Sequence, residues 1–124
     1  FHVKNIDFKR HDFLKTEIHS RFDLVVSNPP YIGKSELSSL QKEVMKYEPE
    51  LALTDNADGL TFYRRFAQVG KNILKRGGYL LLEFGGSEQL LNLKEIFQPE
   101  EFFIEFHNDL QGDPRIAEIH LSSY

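Results

Sequence analysis

The sequence predicts an α/β fold: a mostly parallel sheet with helices between its strands, closing on a C-terminal antiparallel hairpin. Three observations lead there. A short β-branched run, Phe22 to Ser27, ends abruptly at Asn28-Pro29-Pro30. A stripe of helical period, Phe62, Phe66, Val69 and Ile73, follows it in the chain, and a second apolar run, Tyr79 to Phe84, follows the stripe. Strand, helix, strand, helix and a terminal pair of strands is an α/β order.

Taken in order, Asn5 to Arg10 sets Ile6 and Phe8 against Asp7 and Lys9, the period of a half-buried strand. Phe22 to Ser27 reads as a strand buried on both faces, stopped because proline cannot donate to a ladder. Ile32 to Asp58 is a long connection of the kind that serves as a lid. Within it, Leu37, Leu40 and Val44 predict a helix from Ser35, its N-cap, to Lys46, ending ahead of Glu48-Pro49. Asp58 to Arg76 reads as the clearest helix, with Lys75 and Arg76 at its negative end and Gly77 or Gly78 as its left-handed cap. After Tyr79 to Phe84, Gly85-Gly86 turns the chain and Ser87 caps a helix carrying Leu90, Leu93 and Phe97. Phe102 to Phe106 and Ile116 to Leu121 are two further strands, joined by a loop that holds Gly112 and Pro114.

Composition narrows the functional classes. The 124 residues suit one domain, and a formal net charge of −4 without a block of like charge argues against non-specific phosphate binding. With no cysteine there is neither a disulfide framework nor a thiolate metal site, which fits a cytoplasmic setting. No apolar run reaches the ~20 residues of a membrane span. Phe1-His2-Val3-Lys4 is neither a signal peptide nor an initiator methionine, so the chain is expected to begin mid-protein. The five histidines lack metal-ligand spacing, and His107 and His120 read as a surface pair on the terminal hairpin.

The chemistry is carried by Asn28-Pro29-Pro30-Tyr31, at the carboxyl end of a buried strand, where open α/β sheets bind ligands. An amide nitrogen is a poor nucleophile because its lone pair is delocalised into the carbonyl. Two acceptors that hold both N–H groups free that lone pair for attack, and the Asn28 side-chain oxygen with the Pro29 carbonyl can be those acceptors. Pro29 and Pro30 stiffen the corner and remove competing donors. Tyr31 offers an aromatic wall that tolerates a nearby cation.

These residues resemble the active-site signature of class I methyltransferases, and the wider chain resembles the HemK/PrmC protein-glutamine N5-methyltransferases. The likeness runs through Phe22 to Ile32, Tyr47-Glu48-Pro49 with Ala52-Leu53, Asp58-Gly59-Leu60 with Tyr63-Arg64, Gly77-Gly78 before Leu81-Leu82-Glu83, and Asp109-Leu110 with Gly112 and Arg115. It implies a Rossmann-like class I methyltransferase sheet, incomplete on its N-terminal side. It further implies S-adenosylmethionine as cofactor and the glutamine of the Gly-Gly-Gln loop in peptide-chain release factors as substrate. Asn28 and Pro29 would be catalytic acceptors, and Pro30 and Tyr31 would join them at the substrate. Glu48 would orient the loop or the substrate glutamine, or stand as a solvated carboxylate. Phe13 would lie against the cofactor's adenine, with Asp12 and Asn28 beside the cofactor. No metal, membrane or direct nucleic-acid contact is implied for this segment.

The chain departs from that family in lacking a Gly-rich loop after a first strand, an acidic residue closing a second, and an N-terminal helical domain. Residues 1–124 are therefore expected to be the C-terminal portion of a catalytic domain, inactive by itself, with residues 1–13 poorly packed on this sheet, swapped to another copy, or reliant on further chain. A nucleic-acid amino-methyltransferase, acting on adenine or guanine with the same tetrapeptide, is the alternative enzyme. A non-catalytic folding or interaction unit is the alternative class.

Overall fold

In a computed structural model of the chain, residues 4–39 and 49–121 are described. The elements run β1 (Phe22–Ser27), a 3₁₀ turn (Lys34–Ser39), the one-turn helix α1 (Glu50–Leu53), α2 (Thr61–Ile73), β2 (Leu74–Glu83), α3 (Ser87–Phe97), a 3₁₀ turn (Gln98–Glu100), β3 (Phe102–Asn108) and β4 (Pro114–Leu121). One four-stranded sheet has the order β1-β2-β4-β3. β1 and β2 are parallel, Leu24 opposite Tyr79 and Val26 opposite Leu81. β4 lies antiparallel to both neighbours, with Ile119 opposite Leu80 on one side and Ile104 on the other.

The α/β class and the closing hairpin agree with expectation. The sheet is mixed rather than mostly parallel, because β4 inserts between β2 and β3: among the described residues one pairing of three is parallel.

Alternation along the strands sorts the core. Leu80, Leu82, Ala117 and Ile119 are fully buried on one face, beneath Tyr63, Phe66 and Ile73 of α2 and Leu93 and Phe97 of α3. The opposite face is more open: Leu24 is 44% exposed, Val26 67%, Tyr79 37% and Phe103 55%. This corrects the expectation that β1 is buried on both faces. β1 is an outer strand of the described sheet, and the described helices cover only one side of it. β2 is likewise buried on one face rather than on both.

The strand expected at Ile6 to Phe8 does not form. No described strand pairs with it, Ile6 is 51% and Phe8 93% exposed, and the segment has turns at residues 4–5 and 13–16, the Asp12 carbonyl accepting from the Thr16 amide at 2.9 Å. Alternation makes a strand only where a ladder edge is within reach. Of the helix expected at Ser35 to Lys46, the described part is the 3₁₀ turn; the remainder lies outside the described residues.

α2 is shorter at both ends than its apolar stripe suggests. Its C-cap, Leu74, already has extended geometry, φ −104° and ψ 135°, and starts β2. Arg21 closes the helix end, donating to the Lys71 and Leu74 carbonyls at 2.8 and 3.0 Å. Lys75 and Arg76 therefore lie in the strand. Gly77, at φ +79°, serves an irregularity in the β1–β2 register rather than a helix cap. Gly78 is held against backbone: a Cβ there would come within 2.9 Å of the Phe22 carbonyl oxygen. α3 begins one residue earlier than expected, since Gly86 occupies the N-cap at φ +105° and Ser87 is the first helical residue, with no side-chain cap.

Candidate functional site

The corner Asn28 to Tyr31 leaves β1 at its carboxyl end, as the sequence predicts. Pro29 is buried and Asn28 exposed, which anchors the loop while presenting the carboxamide. Among the described residues no hydrogen bond engages the Asn28 side chain or the Pro29 carbonyl, leaving both acceptors available to a ligand. Phe13, Ile18, Val26, Asn28, Pro29, Pro30, Phe62 and Phe66 line one open groove of about 370 Å³. Phe13, far in the chain from α2's apolar stripe, packs its ring on Phe66 at 4.4 Å. It is held there by Arg65, whose Nε donates to the Phe13 carbonyl at 2.9 Å and whose guanidinium lies 6.0 Å from the ring. The fold thus brings Phe13 to the same groove as Asn28, Pro29 and Pro30.

Two expected residues stand elsewhere. Asp12 is exposed and accepts from the Leu14 amide at 3.2 Å, the hydrogen bond of a local turn, and it does not line the groove. Tyr31 faces the adjoining cleft, about 210 Å³, formed with Ile32, Glu36, Asp58, Gly85, Glu88, Gln89 and Asn92. Glu48 lies outside the described residues.

The groups that support the corner from behind lie outside the motif. Asp55 gathers the loop before α2: its carboxylate accepts from the amides of Ala57 at 2.9 Å, Gly59 at 3.0 Å and Thr61 at 3.1 Å, and from the Thr61 hydroxyl at 2.6 Å. Burial pushes its pKa up, but the hydrogen bonds from Thr61, Ala57 and Gly59 outweigh that and hold it below the ordinary carboxylate value. The loop packs tightly on the corner. Gly59, at φ +84°, lies so close to the Tyr31 carbonyl that a Cβ would overlap it. Asp58 accepts both Arg64 guanidinium nitrogens, and that pairing lowers its pKa. Tyr63 is fully buried and donates to the Glu83 carbonyl at 2.7 Å; burial, with Tyr31 and Glu83 beside it, raises its phenol far above the ordinary range, so it stays a donor. The sequence signal for Asp55 was its offset from Gly59 and Thr61, which suits an Asx-type turn leading into a helix.

On the far hairpin, Glu105, His107 and Glu118 set ligand atoms within 4.8 Å of one another on the sheet's open face, although their chain spacing alone does not suggest it. Arg115, part of the family likeness, pairs with Asp109 at 3.5 Å beside Gly86. Among the described residues no helix is long and apolar enough to cross a membrane.

The sequence model of the family described as Eco57I restriction-modification methylase matches residues 2–106. A release factor glutamine methyltransferase of Fusobacterium nucleatum is 39% identical over 116 residues, covering 92% of this chain and 32% of that protein. One of Clostridium acetobutylicum is 41% identical over 98 residues, covering 78% and 34%. The crystal structure of a release factor-specific protein-(glutamine-N5) methyltransferase from Alicyclobacillus acidocaldarius matches with a TM-score of 0.50 at 29% identity, over 82% of this chain and 50% of that one. The resemblance to the HemK/PrmC enzymes is borne out by these relatives. The chain spans about a third of the length of the first two, 32% and 34%.

Proposed function

The chain belongs to the methylase family matched by that model, and from that premise we propose that it is the part of an S-adenosylmethionine-dependent methyltransferase that receives the target amide. The observation that carries this reading is the exposed residue Asn28 beside Pro29, a buried residue whose carbonyl takes no hydrogen bond among the described residues, on the groove that Phe13 lines. A primary carboxamide docked there gives one N–H to the Asn28 oxygen and the other to Pro29, so its nitrogen can lose planarity and present its lone pair to a methyl sulfonium in line. The names of the relatives support a release factor glutamine as that carboxamide; that it is the glutamine of the Gly-Gly-Gln loop is what the family resemblance implies.

Methyltransferase membership implies S-adenosylmethionine in general. The fit to the described residues is partial. Phe13 and the apolar walls suit an adenine ring, and the corner suits the methyl end. Among the described residues the groove carries no carboxylate for ribose hydroxyls and no glycine loop for the amino-acid end. Residues 1–124 act, on this reading, as the C-terminal portion of a catalytic domain that needs further chain to hold the cofactor. Isothermal titration should therefore give no binding at micromolar S-adenosylmethionine to this chain alone; micromolar binding overturns that part.

The substrate is a protein, and the reaction belongs in the cytoplasm. Glu36, Asp58 and Glu88 line the cleft beside the corner, and this acidic rim disfavours a phosphate backbone. Transfer of labelled methyl groups by the full-length protein to a release factor and to duplex DNA tests the assignment. Label on the glutamine is expected; label confined to DNA bases overturns it in favour of the nucleic-acid alternative.

A further inference from the structure

Gln89 joins three segments that are distant in the chain. Its Nε2 donates to the Tyr31 carbonyl at 2.9 Å and to the Gly59 carbonyl at 3.5 Å, while its Oε1 accepts from the Gly85 amide at 2.7 Å. The partners fix the orientation of the carboxamide: two acceptors lie on one side and one donor on the other, so a rotated amide would set oxygen against oxygen. Gly85 leaves little choice of neighbour, since a Cβ there would approach Gln89 Oε1 to 2.8 Å and the Tyr31 ring to 3.1 Å. The backbone of Gln89 is itself held, its N–H donating to Gly86 at 2.9 Å in the first turn of α3. The carboxamide is thus fixed by a helix and reaches back to the last residue of the corner.

We propose that Gln89 is a positioning residue that clamps the Asn28 to Tyr31 corner in its substrate-receiving shape by tying Tyr31 to the Gly59 loop and the Gly85 turn. The importance of that shape for methyl transfer rests on the function proposed above; the clamp itself is a statement about the fold. Proline restricts the corner's own torsions but does not fix where its far end lies. The Tyr31 carbonyl is the nearest point downstream of Pro29 and Pro30 at which a hydrogen bond from a helix can do so. Only a side chain with donors and an acceptor on one planar group satisfies all three partners.

Glu is the same size as Gln and tests this directly. In Q89E at neutral pH both donors are lost, and a carboxylate faces two carbonyl oxygens. It also faces Glu36, Asp58 and Glu88, which line the same cleft; the nearby cations, Arg64 and Arg115, are paired with Asp58 and Asp109. The two carbonyl oxygens and that surplus of negative charge raise the pKa of the introduced carboxyl, opposed by the Gly85 amide and the N-terminus of α3; the first set is expected to prevail. Near pH 5 its neutral form can accept from Gly85 and donate to Tyr31, restoring two of the three contacts.

The experiment is amide NMR of the 124-residue chain as wild type, Q89E and Q89A. In both variants the Asn28 side-chain NH₂ and the Ile32 and Gly85 amides should shift at pH 7, and Gly85 protection from exchange should fall tenfold or more. Amides of the β3–β4 hairpin should be unmoved, showing an intact fold. In Q89E, but not Q89A, the Asn28 and Ile32 resonances should return toward wild type near pH 5. If Q89A does not fold, the two pH values in Q89E decide alone. Unmoved Asn28 and Ile32 resonances in Q89E at pH 7, or shifts that lowering the pH leaves unchanged, overturn the clamp.

Titration with acetyl-Gly-Gly-Gln-amide separates the two claims. A peptide that shifts Asn28 in wild type and binds fivefold or more weakly to Q89E at pH 7 supports both. Should the clamp signatures appear while no peptide shifts Asn28 in wild type, the clamp stands and the amide-receiving reading falls. Equal binding by wild type and Q89E, with Gly85 still protected, overturns the clamp and leaves that reading in place.

Discussion

Replacing Asp55 should loosen the loop behind the corner by an amount that depends on pH. The Ala57 amide is exposed, so water replaces the carboxylate there at little cost. Gly59 is buried and Thr61 half-buried, and their amides lie 3.0 and 3.1 Å from the carboxylate. Hydrogen bonds to a charged acceptor contribute about 1.5–3 kcal/mol each, and losing a helix-start acceptor costs ~1 kcal/mol. Because these contributions overlap, Asp55→Ala should cost about 3 kcal/mol, and Asp55→Asn, which keeps one acceptor oxygen, about 1–2 kcal/mol. With a urea slope of roughly 1.5 kcal/mol/M, the alanine variant's midpoint should fall by about 2 M. The folded-state pKa of Asp55 lies below its unfolded value of 3.8. Its contribution is therefore complete above that value and is lost as pH falls through the folded pKa. Asp58 and Asp109 are also lowered, but they are common to both chains and cancel in the difference. Equilibrium urea unfolding followed by circular dichroism at pH 7 and pH 3 measures this. A wild-type advantage over Asp55→Asn equally large at both pH values, or an Asp55→Ala loss under about 0.5 kcal/mol, would refute the reasoning.

Three further outcomes are expected. Asn28→Ala should lower methyl transfer by the full-length protein by about 10²–10³, by analogy with the loss of an oxyanion-hole group; because Asn28 is exposed, the melting temperature should stay within about 1 °C. Gly77→Ala meets nothing within 4 Å and should cost only about 1 kcal/mol for its positive φ, whereas Gly59→Ala also drives a methyl into the Tyr31 carbonyl and should cost more than about 2 kcal/mol; thermal melts of the two side by side check the contrast. Tyr63→Phe leaves the Glu83 carbonyl without its 2.7 Å partner and should cost about 1–2 kcal/mol, lowering the urea midpoint by about 1 M at unchanged slope.

The parts legible in the sequence are those whose cause is local. β1 ends where two prolines forbid a ladder, α2 and α3 follow their apolar stripes, and the hairpin follows its turn residues. The corner is legible for the same reason: its shape comes from the torsions of Pro29 and Pro30. What failed depended on neighbours. Ile6 and Phe8 alternate correctly, yet alternation describes a surface that suits a sheet, not the presence of one beside it. The β-branched run in β1 predicts burial on both faces, but its place at the edge of the described sheet is a property of strand order, which residues 22–27 do not encode. The end of α2 is set by Arg21, fifty residues away from the Lys71 carbonyl it takes.

Asp55 and Gln89 were missed on the same principle, though each left a faint local trace. Gln89 stands three residues after the Gly86 N-cap, where a side chain can reach back toward the start of its helix. With Ser87 taken as the cap, that offset was lost. The trace shows that Gln89 can reach Gly85; it says nothing of Tyr31 or Gly59, which arrive by way of β1 and the loop before α2. A tetrapeptide can therefore disclose the groups that would touch an amide, while the groups that hold those in place emerge only once the strand ends have converged. This is why Asn28→Ala should separate catalysis from stability, whereas Asp55 and Gly59, which serve the fold and the corner together, should not.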